Sequence, residues 1–257
     1  MPEMHELPKV NIIGTGSNLA SLAEKLSLPL VPAFPESGGF CLFMEDGMLR
    51  LSNLDARDKS VVYVDFSSGA STYRREQGGG KNQALGKAIG INKKSDLNVL
   101  DATAGMGKDA FVMAGLGCKL TMVEQSPIVA ALLQDALMRA EQDAAIVDII
   151  SMMTLIQANS IEHMQSSEFL DNPPDVVYLD PMYPERKKTA KVKKEMQTLQ
   201  QLLGHQDNTE EFLEAAFNCA LNRVVVKRPK GASPISNRPA THTVESKKTR
   251  YDVYMKF

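Results

Sequence analysis

Between residues 97 and 227 the chain alternates short apolar runs with amphipathic stretches, and that alternation leaves very few architectures open to it. Residues 97–101, 119–123, 155–158, 176–179 and 223–227 have the length and β-branched content of buried strands. Residues 108–116, 127–140, 161–169 and 209–221 carry apolar positions at helical spacing. A strand connected to the next through a helix runs parallel to it, so the sequence predicts a mostly parallel sheet covered by helices on both faces. THTVESK and RYDVYMKF, separated by a short basic turn, predict a hairpin that finishes the sheet.

The first 70 residues have a different pattern. Residues 10–13 predict a short strand, and 17–26 a helix with Ser17 or Asn18 as its N-cap. Residues 40–44 and 48–51 flank the turn signal Glu45-Asp46-Gly47, and 61–66 predict one more strand. Gly14-Thr-Gly16 reads as a turn, because no acid ends the next strand as a nucleotide site would require. The predicted organisation is a small N-terminal α+β module over residues 1–70 and a larger α/β domain over 71–257. The two are joined by the basic, Gly-rich STYRREQGGGK and a short helix through Leu85 and Ile89. A chain of 257 residues with 43 % hydrophobic content can bury cores for both.

No apolar run approaches the ~20 residues of a membrane span, and MPEMHELPKV lacks a signal-peptide core. The expectation is a soluble cytoplasmic protein. Cys41, Cys118 and Cys219 are odd in number and never form a C-x-x-C pair, as suits buried free thiols in a reducing compartment. His5, His163, His205 and His242 show no ligand spacing, so no metal is expected. The net charge of −2 conceals an asymmetry. Residues 1–181 carry 14 Lys+Arg against 23 Asp+Glu, a net −9, whereas residues 182–257 carry 15 against 8, a net +7. Such a split suggests a basic surface for a polyanion beside an acidic body.

Asp101-Ala-Thr-Ala-Gly105-Met-Gly107-Lys108-Asp109-Ala110 follows one predicted strand and opens a helix. Glycines there let a ligand approach the backbone and the helix N-terminus. Asp101 can accept a hydrogen bond from a ligand ammonium, Glu124 at the next strand end can take two ribose hydroxyls, and Gln125 can border an adenine. This constellation fits S-adenosylmethionine, and it also fits a nicotinamide or flavin dinucleotide.

A second constellation separates the two readings. Val176-Val-Tyr-Leu-Asp180-Pro181-Met182-Tyr183-Pro184 resembles the [DNS]-P-P-[YFW] motif of amino-group methyltransferases. The lone pair of an exocyclic base amine is delocalised into the ring. Asp180 and the Pro181 carbonyl can accept its two N–H bonds and turn that lone pair toward a methyl donor, while Tyr183 can stack on the base. With both sites present, the outline is that of the class I methyltransferase (Rossmann-like) fold, a seven-stranded mostly parallel sheet with a small N-terminal α+β extension.

DATAGMGKDAFVMAGLGC, MVEQSPIVAALLQDAL, VVYLDPMYP, KVKKEM and RVVVKRP, in this order and preceded by YRREQGGGKNQALGKAIGI, resemble the ribosomal RNA small subunit methyltransferase J family. That family methylates a guanine N2 of bacterial 16S rRNA. The resemblance runs from about Asp65 to the C-terminus and covers the N-terminal module more loosely. It implies S-adenosylmethionine as cofactor, held at Lys108 and Asp109, Glu124 and Gln125, Asn159 and Ser160, and Asp180. It also implies 16S rRNA or the small ribosomal subunit as partner. The family often has Arg where Lys108 and Gln125 stand, and a Ser pair where Asn159-Ser160 stands.

Arg186, Lys187, Lys188, Lys191, Lys193 and Lys194 place six bases in nine residues directly after the DPMY loop. A Lys run is usually a solvated face; beside a base-modifying loop it predicts a phosphate-binding rim, joined by Lys227 and Arg228 at another strand end. Arg74, Arg75 and Lys81 fit either RNA or the methionine part of the cofactor. The rival readings are an adenine-N6 or protein-glutamine methyltransferase, a non-catalytic RNA-binding assembly protein, and a dinucleotide oxidoreductase. Asp101, Glu124 and Asp180 together argue against a pure binder. No obligate protein partner is indicated.

Overall fold

The computed structural model describes residues 8–35, 38–56, 60–68, 83–94, 96–181, 194–204 and 209–256, without the side chains of residues 168, 170 and 194. The chain begins with β1 (Val10–Ile13), α1 (Ser17–Leu26), β2 (Leu30–Val31), β3 (Phe40–Glu45), β4 (Met48–Asn53) and β5 (Val61–Val62). It continues with α2 (Ala84–Ile89), β6 (Asn98–Asp101), α3 (Lys108–Gly115), β7 (Lys119–Glu124), α4 (Pro127–Ala140), α5 (Val147–Ile150) and β8 (Met153–Gln157). The remaining elements are α6 (Ser160–Met164), α7 (Ser167–Asp171), β9 (Val176–Leu179), α8 (Lys194–Leu203), α9 (Thr209–Cys219), β10 (Arg223–Pro229), β11 (His242–Glu245) and β12 (Thr249–Met255). The described residues fall into two compact units, residues 8–64 with 194–204 and residues 65–181 with 209–256.

The first unit is built on a five-stranded sheet of order β2-β1-β3-β4-β5. Its β3–β4 hairpin turns at Asp46 (φ 53°) and Gly47 (φ 72°), the paired left-handed conformations that a two-residue Asp-Gly turn supplies. Helix α1 has the predicted bounds, but its N-cap is Gly16, which makes no side-chain hydrogen bond, and Ser17 is already helical. Helix α8 clusters with this unit although it lies more than a hundred residues beyond position 70. Its Thr198 hydroxyl bonds Ser60 at 2.8 Å and its Gln201 accepts from the Asn53 amide at 2.9 Å.

The second unit holds a seven-stranded sheet of order β11-β12-β10-β9-β6-β7-β8. Strands β10, β9, β6, β7 and β8 are mutually parallel, and β12 and β11 add antiparallel at one edge. The chain steps outward from β6 through β7 to β8, then returns to place β9 on the other side of β6. The order reverses between β6 and β9, the switch point beyond whose C-terminal strand ends ligands bind in open α/β sheets. Leu100, Val123, Val177, Leu179, Val224 and Val226 are all but inaccessible and pack with Leu213, Ala216 and Cys219 of α9. Continuous burial along these strands follows from helices covering both faces. The three cysteines are free and buried.

Two predicted elements differ. The helix expected over 161–169 is two, α6 and α7, because Asn159 caps a first short helix and the chain turns at Gln165 and Ser166. The strand expected over 61–66 ends at Val62, and Phe66 instead stacks on Phe111 of α3 with ring centroids 5.0 Å apart. No helix among the described residues is long and apolar enough to cross a membrane.

Candidate active site

The turn leaving β6 is shaped by two left-handed glycines that do different work. Gly105 has φ 52°, and a Cβ there would meet nothing closer than the Thr103 carbonyl oxygen at 3.8 Å, so its outer side is open. Gly107 has φ 68° and caps α3; a Cβ there would lie 2.8 Å from Leu133 Cδ1 and 3.1 Å from Phe66 Cζ. Gly107 is therefore a packing glycine, and close ligand approach is confined to Gly105.

Asp101 ends β6 and is 2 % exposed. Its Oδ1 accepts the Thr103 backbone N–H at 3.0 Å and lies 3.4 Å from the Thr103 hydroxyl, which in turn accepts the Asp180 N–H at 2.6 Å. Thr103 thus ties the ends of β6 and β9 together. Burial pushes the Asp101 carboxyl up to about 7; the Thr103 N–H opposes the shift, Asp109 and Asp180 add to it, and Lys227 relieves it. Glu124 ends β7, with Oε2 accepting the Gly105 N–H at 2.9 Å and Oε1 the Ser126 N–H at 2.7 Å. Burial raises its carboxyl above the ordinary value, and N–H donors from Ser126, Gly105 and Gln125 pull it back.

Around these carboxylates, Gln125 and Lys108 are exposed and Ser160 is buried. Asn159 Oδ1 caps α6 by accepting from Ile161 N at 3.0 Å and Glu162 N at 3.3 Å. That bond pair occupies the acceptor oxygen, so a ligand would meet Asn159 through its amide NH₂, as a donor.

The register places Asp101, Tyr178 and Val225 side by side on one face of the sheet. Two residues further along their strands, Asp180 and Lys227 meet on that same face. Lys227 Nζ donates to Asp109 Oδ2 at 2.6 Å and to Asp180 Oδ2 at 2.8 Å, and the Tyr178 hydroxyl donates to the same Asp109 oxygen at 2.7 Å. Burial raises the Asp180 carboxyl, Lys227 lowers it, and Asp109 raises it again. The two carboxylates hold the Lys227 ammonium above its usual range although burial opposes its charge. Pro181 is buried beside Asp180.

Two expected rim residues are not on a rim. Lys227 is committed to the Asp109 and Asp180 carboxylates, and Arg228 is 6 % exposed with its guanidinium donating to the Ser233 carbonyl. Alternation along β10 turns one toward the site and the other into the opposite face, so neither is a free phosphate contact. Tyr183, Arg186, Lys187, Lys188, Lys191 and Lys193 lie outside the described residues, as do Arg74, Arg75 and Lys81. Lys194 opens α8, but its side chain is not described. Sequence reasoning passed over Thr103 and Tyr178; the two-residue spacing of Tyr178 from Asp180 was the available signal.

A parallel sheet closed by a terminal hairpin, with carboxylates at the ends of β9, β6 and β7, defines a class I methyltransferase. Residues 21–256 match the family described as "Putative SAM-dependent methyltransferase". Ribosomal RNA small subunit methyltransferase J of Pseudomonas fluorescens is 44 % identical over 234 residues, 91 % of this chain and 88 % of that protein. The protein of that name from Aliivibrio fischeri is 46 % identical over 226 residues, 86 % of this chain and 87 % of its own length. A crystal structure of a SAM-dependent methyltransferase from Neisseria gonorrhoeae superposes with a TM-score of 0.75 at 34 % identity, covering 96 % of this chain and 95 % of that one. The chain belongs to the ribosomal RNA small subunit methyltransferase J family, an enzyme family whose cofactor is S-adenosylmethionine. The residues present fit that cofactor: buried acceptors at two adjacent strand ends, amide donors at Asn159, and an open glycine between them.

Proposed function

We propose that this enzyme methylates the exocyclic N2 amine of a guanine in 16S ribosomal RNA, acting in the cytoplasm on the RNA or the small subunit. The observation that carries the reading is the placement of Asp180 at the switch point, one strand from Asp101 and two from Glu124. The names of the relatives support the substrate class, and the family resemblance supports guanine N2. In this reading the unit with the seven-stranded sheet is catalytic and the unit with the five-stranded sheet, to which α8 belongs, is the appended module.

Asp101 would receive the cofactor's ammonium and Glu124 its ribose hydroxyls, using lone pairs left free by Gly105 and Ser126. Gln125, Asn159 and Ser160 would surround the adenine, with Lys108 and Asp109 at the start of α3 and Asp180 completing the contacts. Bound S-adenosylmethionine supplies an electrophilic methyl group on a sulfonium centre. Asp180 and the Pro181 carbonyl accept the two N–H bonds of the base amine and orient its lone pair, while Tyr183 stacks on the base. Proline holds that carbonyl in place, so little reorganisation accompanies the reaction. The methylated amine must shed one proton, and the Asp180 carboxylate that accepts its N–H is positioned to take it. Arg186 to Lys194 would contact phosphates.

Incubating the purified enzyme with methyl-labelled S-adenosylmethionine and small subunits, naked 16S rRNA, DNA or protein tests the proposal. Label recovered as N2-methylguanosine is the expected result. Label in adenine N6 or in glutamine would replace it with one of the rival acceptors.

A further inference from the structure

Lys227 has no part in the chemistry described so far, yet among the described residues it is the cation paired with Asp180, at 2.8 Å. It rises from β10, and its ammonium spans two carboxylates that come from different elements, Asp109 in the first turn of α3 and Asp180 after β9. All three side chains are partly buried, with 20 % to 38 % of their surface exposed. We propose that Lys227 is a positioning residue for methyl transfer: by bridging Asp109 and Asp180 it keeps the Asp180 carboxylate ionised and aimed so that it accepts the amine N–H. The proposal rests on the reading of Asp180 as the amine acceptor.

The physical case has three parts. Asp180 follows a buried strand, where burial first and then the Asp109 carboxylate on α3 favour its protonation. Protonation would put an O–H on one Asp180 oxygen, and a carboxyl turned with that O–H toward the amine repels the N–H that it should accept. Lys227 is the cation facing this group among the described residues; the other titratable neighbours are acids or phenols, namely Asp101 on β6, Asp109 on α3, Tyr178 on β9, and Tyr251 on β12, which stands opposite Lys227 in register. The second part is geometric. Tyr178 and Lys227 converge on one Asp109 oxygen, at 2.7 and 2.6 Å, so the bridge is braced against rotation from two strands. The third is that the Asp180 backbone is separately anchored, through its N–H to Thr103. With the backbone fixed there, Lys227 governs the remaining freedom, the carboxylate's own torsion.

The test compares Lys227→Met, Lys227→Arg, Asp180→Ala and Asp180→Asn in the intact protein. Lys227→Met is expected to lower kcat on the order of a hundredfold, as a small misplacement of a reacting group does, with KM for RNA within about twofold of wild type. The acid limb of its pH–rate profile should move up by about one pH unit or more, the loss of one close opposite charge. Lys227→Arg, which keeps the charge, should restore the limb. Wild-type kcat and an unmoved limb in Lys227→Met would overturn the proposal. So would unchanged kcat with weaker RNA binding and a shallower salt dependence, the behaviour of a phosphate contact. If Asp180→Ala methylates at full rate, the reading of Asp180 itself fails; if Asp180→Ala is inactive while Lys227→Met is normal, only the role of Lys227 fails. Should Lys227→Met not fold, ¹⁵N-lysine NMR of the wild-type enzyme decides, with the resonance assigned through Lys227→Arg. A slowly exchanging Lys227 ammonium signal that shifts as Asp180 titrates, and is displaced in Asp180→Asn, supports the bridge, and a freely exchanging one removes it.

Discussion

Asp101 carries its proton near neutral pH because burial, more than any single neighbour, disfavours its charge. Its value of about 7 lies above the ~3.9 of an unfolded aspartate. The folded chain therefore holds a proton that the unfolded chain has lost between about pH 4 and pH 7. The resulting stability is fully present below about pH 4 and is lost as pH rises through 7, a difference on the order of a few kcal/mol. Denaturant titrations of the cofactor-free protein should show that decline, and Asp101→Asn should flatten it. Because a ligand ammonium selects the ionised carboxylate, S-adenosylmethionine should bind more tightly at pH 8 than at pH 6 and release a proton near neutrality. Calorimetry in buffers of different ionisation heat measures that proton, and Asp101→Asn should abolish its release. Glu124→Ala should weaken cofactor binding by roughly 1.5–3 kcal/mol, the worth of hydrogen bonds to a charged group. It also frees the Gly105 N–H, so the loss should exceed that of Glu124→Gln.

The loop between β6 and α3 separates two kinds of glycine that look alike in the sequence. Both are left-handed, which costs a residue with a Cβ roughly 1–2 kcal/mol. Gly107 additionally abuts Leu133 and Phe66, so Gly107→Ala should cost about 1–3 kcal/mol more in unfolding free energy, from overpacking. Gly105→Ala should be the milder change in stability and the harsher one in cofactor affinity, because its Cβ would enter the open side. Equal effects on both quantities would remove the distinction. Elements with strong local signals, such as the Asp-Gly hairpin and the Pro127–Ala140 helix behind its Ser126 cap, were legible from the chain alone. Residues 194–203 were not read as a helix, since their basic lead-in dominated the pattern and the partners of Thr198 and Gln201 lie 138 and 148 residues away. The strand expected over 61–66 failed for the same kind of reason: Phe66 is drawn to Phe111, a tertiary contact that no local period announces.

Across the whole chain, the charge split of −9 against +7 is a property of sequence halves and needs a surface to act on. If Lys187, Lys188, Lys191 and Lys193 meet phosphates, neutralising all four should weaken RNA binding without altering cofactor affinity. The slope of log affinity against log salt should become shallower by roughly 0.7 per lost contact on single strands and 0.9 on duplex. An unchanged slope would leave them a solvated face. The three carboxylates of the site were visible as strand-end acids, whereas Lys227 was assigned to phosphate because its partners are 118 and 47 residues distant and only the sheet register brings them together. The most direct measurement is mass mapping of 16S rRNA from cells lacking this protein, with wild-type and Asp180→Ala genes returned in turn. The expected result is one N2-methylguanosine that disappears on deletion, returns with the wild-type gene and stays absent with Asp180→Ala. A complete set of N2-methylguanosines in the deletion strain, or full methylation by Asp180→Ala, would contradict the assignment.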